Sequence, residues 1–164
     1  MRPFAVLFVC MGNLCRSPTA QAVFARRVAD AGLARQVKVD SAGTHAAPRM
    51  LPDARARARA NLRGYSLNGL RSRALQKSDF GQFDMVLAMD EANLLHLHCH
   101  CAEAEWHRLH LVTAFCTRHP STTAVPDPYY GNAEGFDRVL DLVEDACDGL
   151  LLHVQQQLQL YRQL

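Results

Sequence analysis

The sequence predicts an α/β fold: a single domain over residues 1–164, built on a four-stranded parallel sheet with helices on both faces and a phosphate-binding loop after the first strand. Three observations predict it. Phe4-Ala5-Val6-Leu7-Phe8-Val9 is a continuous apolar, β-prone run, the pattern of a strand buried on both faces of a parallel sheet. A helical pattern and a second short strand follow within about forty residues, and such a strand-helix-strand unit is a right-handed parallel crossover. Two later runs, Phe83 to Met89 and Leu109 to Phe115, supply strands three and four. A chain of 164 residues can bury about two-thirds of the surface it exposes when unfolded, so it needs no covalent staples.

Each element has a local reason. After the loop at Cys10 to Ser17, Ala20, Val23, Phe24, Val28 and Ala31 recur at helical spacing until Gly32. That predicts a helix from about Pro18 to Ala31, with Ser17 as its cap and Pro18 at its first position. Gln36-Val37-Lys38-Val39-Asp40 alternates as the second strand, Ser41-Ala42-Gly43-Thr44 closes it, and His45 to Pro52 is a loop rich in Pro and Ala. Asp53 to Arg63 holds Arg55-Ala56-Arg57-Ala58-Arg59-Ala60, which alternates like a strand but uses two of the best helix formers. We read it as a helix with a solvated basic face. Asp90 stands where it can cap a helix beginning at Glu91. The last helix, about Phe136 to Tyr161, gathers Phe136, Leu140, Val143, Cys147, Leu150, Val154 and Leu158 on one face. Its other face, acidic early and Gln-rich late, reads as solvated surface.

Composition excludes several classes of function. The six cysteines are dispersed, with no secretory leader ahead of them, so reduced thiols and a cytoplasmic location are expected. No apolar run approaches the roughly 20 residues of a membrane helix, so membrane insertion is not expected. A formal net charge of +2, and an arginine run without interleaved aromatics, argue against nucleic acid as a partner. His96-Leu97-His98-Cys99-His100-Cys101 has a composition that can bind zinc, but alternate helical positions diverge by about 200° and no second pair completes a tetrahedral set. No metal and no cofactor are expected.

The chemistry concentrates in Cys10-Met11-Gly12-Asn13-Leu14-Cys15-Arg16-Ser17-Pro18, between the buried strand and the first helix. A thiol is a poor nucleophile until it ionises, and a helix N-terminus beside a guanidinium favours the thiolate. The spacing from Cys10 to Arg16 lets the loop circle one tetrahedral oxyanion, with the sulphur below it and a bidentate guanidinium at its side. Gly12 and Asn13 tolerate the positive φ angles that such a turn needs. Phosphate fits this ring, with Met11, Gly12, Asn13, Leu14, Cys15, Arg16 and Ser17 as its binding residues.

The run Val9-Cys10-x-Gly12-Asn13-x-Cys15-Arg16-Ser17-Pro18-Thr19 resembles the low-molecular-weight protein tyrosine phosphatases. The resemblance extends, in the family's order, to Asp40-Ser41-Ala42-Gly43-Thr44, to Phe83-Asp84-Met85-Val86-Leu87-Ala88-Met89-Asp90 and to Val125-Pro126-Asp127-Pro128-Tyr129-Tyr130-Gly131. It implies a phosphomonoesterase working through a cysteinyl-phosphate, with Cys10 as nucleophile, Arg16 as phosphate clamp and Asp127 as acid and base. It further implies Ser17, Ser41 and Asp90 as supporting residues, and His45, Ala47, Tyr129 and Tyr130 around the substrate slot. Cys15 becomes the thiol that resolves an oxidised Cys10. Substrates would be a phosphotyrosine-containing protein or a small aryl phosphate, with inorganic phosphate and other oxyanions as inhibitors.

Two blocks depart from the family's pattern. Ala46 and Ala47 stand where relatives often carry an aromatic residue, which lowers one wall of the slot. Leu70 stands where relatives carry a histidine that holds the loop asparagine, so Asn13 is either held by Ser41 and other neighbours or left looser. Two other readings of the chain remain distinct. A thioredoxin-coupled arsenate reductase needs further redox cysteines near the end of the third strand, where this chain has Ala88, with Cys99 and Cys101 some ten residues on. A non-catalytic phosphoprotein binder would not require both Cys10 and Asp127.

Overall fold

The computed structural model describes all 164 residues. Strand β1 (Phe4–Cys10) lies between β2 (Val37–Gly43) and β3 (Met85–Ala88), with β4 (Leu109–Leu111) outside β3, in the order β2-β1-β3-β4. All pairs are parallel; Phe4 faces Val37 and Cys10 faces Gly43 on one side, and Val6 faces Met85 on the other. Five α-helices complete the fold: α1 (Arg16–Asp30), α2 (Ala54–Leu62), α3 (Asp79–Gln82), α4 (Glu91–His100) and α5 (Ala133–Arg162).

Residues of β1 alternate between two cores, as a central strand of period two must. Phe4, Val6, Phe8 and Cys10 join the larger core with Val23 and Phe24 of α1, Ala56 and Ala60 of α2 and the apolar face of α5. Ala5, Leu7 and Val9 join the second core with Phe80, Phe83, Leu97 and Leu109. Helices therefore cover both faces, as the sequence predicts. The chain leaves β1 between strands whose connections depart to opposite sides, and the crevice at that switch point is where such sheets bind ligands. Cys10 is the residue at its edge.

Several boundaries differ from the sequence-based expectation. Helix α1 starts at Arg16, with Cys15 at the N-cap and no side-chain cap bond, so Ser17 is not the cap and Pro18 is not the first helical residue. Pro18 still lies in the first turn, where its missing N–H costs nothing. Strand β2 starts at Val37 rather than Gln36 and closes through Ser41, Ala42 and Gly43, one residue short of Thr44, where Cys10 at the end of β1 is its last partner. The third strand is shorter than Phe83 to Met89 at both ends. The fourth is only Leu109–Leu111, since Val112–Phe115 turns into a 3-10 helix that packs under Gly149 of α5. Sequence periodicity was also silent on α3 and on a 3-10 turn at Glu103–Arg108, both too short to show a period.

The acidic side of α5 is more than solvated surface, and the arginines of α2 and its C-cap are more than a solvated face. Arg59 pairs with Asp137 at 2.6 Å, and Arg63 pairs with Asp141 at 2.9 Å and with Glu144. Arg27 of α1 adds Asp148 at 2.8 Å, while Tyr65 donates to Glu144 at 2.8 Å. The two helix faces of opposite charge are thus each other's partners.

Asp145 of α5, wholly buried, anchors the segment that follows Cys116. It accepts from the backbone N–H groups of Thr117 at 2.9 Å, Arg118 at 3.0 Å and His119 at 2.8 Å, and lies 2.8 Å from His119 Nδ1. Burial alone would raise its carboxyl, but these donors outweigh it and hold the group well below the usual carboxylate range. A depressed folded value means stability that is full above the unfolded value of about 3.9 and lost as pH falls further. Asp145→Asn should cost on the order of 3 kcal/mol at pH 7 and much less near pH 2, read by urea unfolding at the two pH values. An equal loss at both would show that the charge contributes nothing.

No helix is long and apolar enough to cross a membrane.

Candidate active site

The loop after β1 is held by its carbonyls. Cys10 O accepts from Thr44 N at 2.9 Å, Met11 O from His45 N at 2.8 Å and Leu14 O from Asp53 N at 2.8 Å. Cys15 O accepts from Thr19, through both its hydroxyl at 2.7 Å and its N–H at 3.3 Å. With the carbonyls bonded outward, the N–H groups of Met11 to Cys15 make no hydrogen bond within the protein, and the first N–H groups of α1 extend the set. Such a nest of amides is an anion cradle. Gly43 makes the close approach possible: a Cβ there would sit 2.6 Å from Met11 O.

Asn13 takes φ 55°, a left-handed conformation that its own side chain secures. Its Nδ2 donates to Ser17 Oγ at 2.8 Å and to Ser41 Oγ at 3.0 Å, and its Oδ1 accepts from Arg73 N at 3.0 Å. Ser41 passes the chain on to Gln21 Oε1 at 2.6 Å. Leu70 makes no part of this and packs, half-buried, against the larger core. The backbone of Arg73, with Ser17 and Ser41, supplies every bond that Asn13 needs. Ser17 Oγ accepts from Asn13, and its single hydrogen has two acceptors in reach, Cys10 Sγ at 3.0 Å and Ala42 O at 3.4 Å, of which the sulphur is the nearer. A thiolate at Cys10 therefore has a fixed hydroxyl donor.

Arg16 is buried, yet its guanidinium is fully organised. Nη1 donates to Asp90 Oδ2 at 2.7 Å and to Val125 O at 3.1 Å, and Nη2 lies 3.6 Å from Asp127 Oδ2. Asp90 serves two elements, as its other oxygen accepts from Asn93 N at 2.8 Å and caps α4. Asp127 is 44% exposed, with Oδ1 accepting from Tyr129 N at 3.1 Å. Its second oxygen faces the guanidinium and the cleft.

Around Cys10 opens a cleft of about 220 Å³, lined by the cysteine loop with Arg16, by His45, and by Asp127, Tyr129 and Tyr130. Asn13, Ser17 and Ser41 stand behind this lining as braces. Ala47 is not part of it: it is exposed, and its carbonyl accepts from Ser72. The tyrosines stand edge to face at 4.9 Å, and Tyr130 is 96% exposed. No three His, Cys, Asp or Glu side chains converge as metal ligands.

Sequence reasoning missed Arg55. It ion-pairs with the α2 cap Asp53 at 2.9 Å and donates to Tyr129 O at 2.8 Å and Gly131 O at 3.4 Å. Its guanidinium also lies over the rings of Tyr129 and Phe136, at 5.7 and 4.8 Å. Nothing in an Arg-Ala alternation distinguishes this arginine from Arg57, so no sequence signal could have found it. Arg55→Ala should lower kcat by about tenfold through a loosened Asp127 segment, with Arg59→Ala, whose partner is on α5, as the control. Equal effects of the two would reduce Arg55 to a surface ion pair.

Cys15 is buried beside the cleft, and burial, followed by the Asp53, Cys10 and Asp127 charges, pushes its thiol up to about 12. Cys101 faces the second core and Cys99 faces solvent, so neither lies on the cleft. The redox relay required by an arsenate reductase has no thiols there beyond the loop itself.

Residues 5–160 match the family model described as low molecular weight phosphotyrosine protein phosphatase. A low molecular weight protein-tyrosine-phosphatase of Streptomyces coelicolor is 39% identical over 164 residues, covering 95% of this chain and 96% of its own. The human low molecular weight phosphotyrosine protein phosphatase is 33% identical over 148 residues, covering 90% and 93%. The crystal structure of a protein tyrosine phosphatase from Entamoeba histolytica, with Hepes in its active site, superposes with a TM-score of 0.90 at 39% identity, covering 94% of this chain and 98% of that one.

Proposed function

This chain belongs to the low molecular weight phosphotyrosine protein phosphatase family, and from that membership we propose that it hydrolyses phosphotyrosine, in proteins or as small aryl phosphates, through a phosphocysteine on Cys10. The observation that carries the proposal is one cleft holding a buried cysteine, a ring of unpartnered amides, a buried arginine and a half-exposed aspartate. The Cys10 thiolate attacks phosphorus, forming the S–P bond as the P–O bond to the phenol breaks. Arg16 and the loop amides hold the equatorial oxygens, a fixed positive field where charge develops. Asp127 gives its proton to the leaving oxygen. In the second step it takes a proton from water as the water oxygen attacks phosphorus, and the thiolate leaves toward the Ser17 hydroxyl.

The walls support an aryl substrate. Met11 and Leu14 supply apolar contact and Tyr129 and Tyr130 supply rings on which a phenol can stack, so a phosphorylated aliphatic side chain would leave that surface uncovered. Inorganic phosphate and other oxyanions would occupy the same cradle as inhibitors. We place the activity in the cytoplasm, where the six cysteines stay reduced. Within this scheme Cys15 traps an oxidised Cys10 as a disulfide, slowly because its thiol stays neutral. Peptide mapping after mild peroxide should find a Cys10-Cys15 link that dithiol reverses; a Cys10 link to Cys99 or Cys101 would remove Cys15 from that role. The direct test of the whole reading is turnover of p-nitrophenyl phosphate and of phosphotyrosine and phosphoserine peptides in excess chelator. Failure on all three substrates would overturn the reading.

A further inference from the structure

The histidines that the zinc-like tract contributes are not idle surface. His45 reaches the cleft from the loop after β2, and its ring lies 5.3 Å from that of His96 on α4. His96 in turn stacks on His100 at 4.1 Å and 21°, and the His100 Nδ1–H donates to His96 O at 2.8 Å. On its other side His45 has Nδ1 2.9 Å from Thr44 Oγ1, so that nitrogen is engaged and Nε2 has no partner within the protein. The charged groups around it are few: His96 and His100 from α4, Cys10 and Arg16 from the cysteine loop, and Asp127 from the segment before α5. Asp127 is already engaged by Arg16 and by the N–H of Tyr129. His45 is therefore a braced imidazole with a free nitrogen on the rim of the site.

We propose that His45, backed by His96 and His100, selects phosphotyrosine substrates that carry carboxylate side chains beside the phosphotyrosine. The inference rests on the phosphatase reading above. With the phosphate anchored at Arg16, residues flanking the phosphotyrosine must pass the rim, and a carboxylate there meets the Nε2 of His45. Protonation makes that nitrogen a charged donor. Burial first, then the neighbouring imidazoles, keeps His96 below the ordinary histidine value, so the ring behind His45 favours its neutral form. His96 then acts as a neutral brace that limits the rotation of His45.

The test compares kcat/KM for two phosphotyrosine peptides that differ only in flanking Glu or Gln, at pH 5.5 and 7.5. The Glu carboxylates remain ionised at both values, and each rate is referred to the phosphate ionisation measured for its own peptide, so the protein's charge is what alters the ratio. For wild type the Glu:Gln ratio should be about fivefold at pH 5.5 and fall below about twofold at pH 7.5, the scale of a partly exposed ion pair. His45→Gln should flatten the ratio at both pH values. His96→Ala should reduce it, and His96→Phe, which keeps a ring as the brace, should restore it. A wild-type ratio near one, or the same pH-dependent ratio in His45→Gln, overturns the assignment; an unchanged ratio in His96→Ala removes the brace. Turnover of the Gln peptide and of p-nitrophenyl phosphate by wild type separates these failures from a failure of the phosphatase reading, which would abolish all of them.

Discussion

Cys10→Ser is expected to abolish turnover, with a loss on the order of 10⁴-fold or more, while inorganic phosphate still binds. The loss is large because the step requires an anionic nucleophile, and an alcohol ionises far less readily than a thiol. Residues that act as a catalytic unit show losses of this size when the nucleophile is removed. Phosphate affinity should survive because the contributions of Arg16 and the amides of Met11 to Cys15 are untouched. The measurements are kcat with p-nitrophenyl phosphate and calorimetric titration with phosphate. Residual turnover within about tenfold of wild type would end the covalent-cysteine scheme, and loss of phosphate binding would show that the sulphur organises the loop.

Asp127→Asn carries the second large effect, and its size should depend on the leaving group. An amide can still accept from Tyr129 N through its oxygen, so the local turn of the segment persists and the change isolates the lost proton. A phenol of high pKa needs that proton, and its phosphate ester should lose on the order of 10² to 10⁴ in kcat. An activated aryl phosphate, whose leaving group departs as the anion, should lose far less. If a series of aryl phosphates of graded leaving-group pKa loses one common factor, Asp127 is structural.

How far the site was legible in sequence depended on whether a residue acts through its neighbours in the chain or across the fold. Cys10, Gly12, Asn13 and Arg16 could be placed together because one loop between a buried strand and a helix carries them all. Asp90 was placed correctly because a carboxylate at the end of a strand before a helical run has few other local uses. The Ser17 cap failed for the same kind of reason in reverse: a serine before proline has a local role available, and here the Asn13 amide and the Cys10 sulphur claimed its hydroxyl instead. The hold of the Arg73 backbone on Asn13, the Arg55 staple and the Arg59 contact to α5 join residues some 60 to 80 positions apart, a separation at which periodicity carries no information. Ala47 was misplaced because a resemblance fixes order along the chain, not which side of a loop a short side chain occupies. Strand lengths erred where pairing, rather than composition, decides the end: β4 stops at Leu111, the partner of Ala88, the last residue of β3.

The proposed nucleophile and the proposed acid stand on ground of very different firmness. Cys10 ends a strand paired on both sides and buried on both faces, whereas between Thr117 and Asn132 only Thr122, Val125 and Gly131 donate a backbone-to-backbone hydrogen bond. The strand amides should exchange with solvent deuterium only through global unfolding, and those of the Asp127 segment through local opening at far smaller cost. Mild urea should then detach the acid before it disturbs the thiolate. An enzyme built this way loses its demanding substrates first: turnover of esters with poor leaving groups should fade at urea concentrations where activated aryl phosphates are still cleaved, leaving for a time a less discriminating catalyst on an intact sheet.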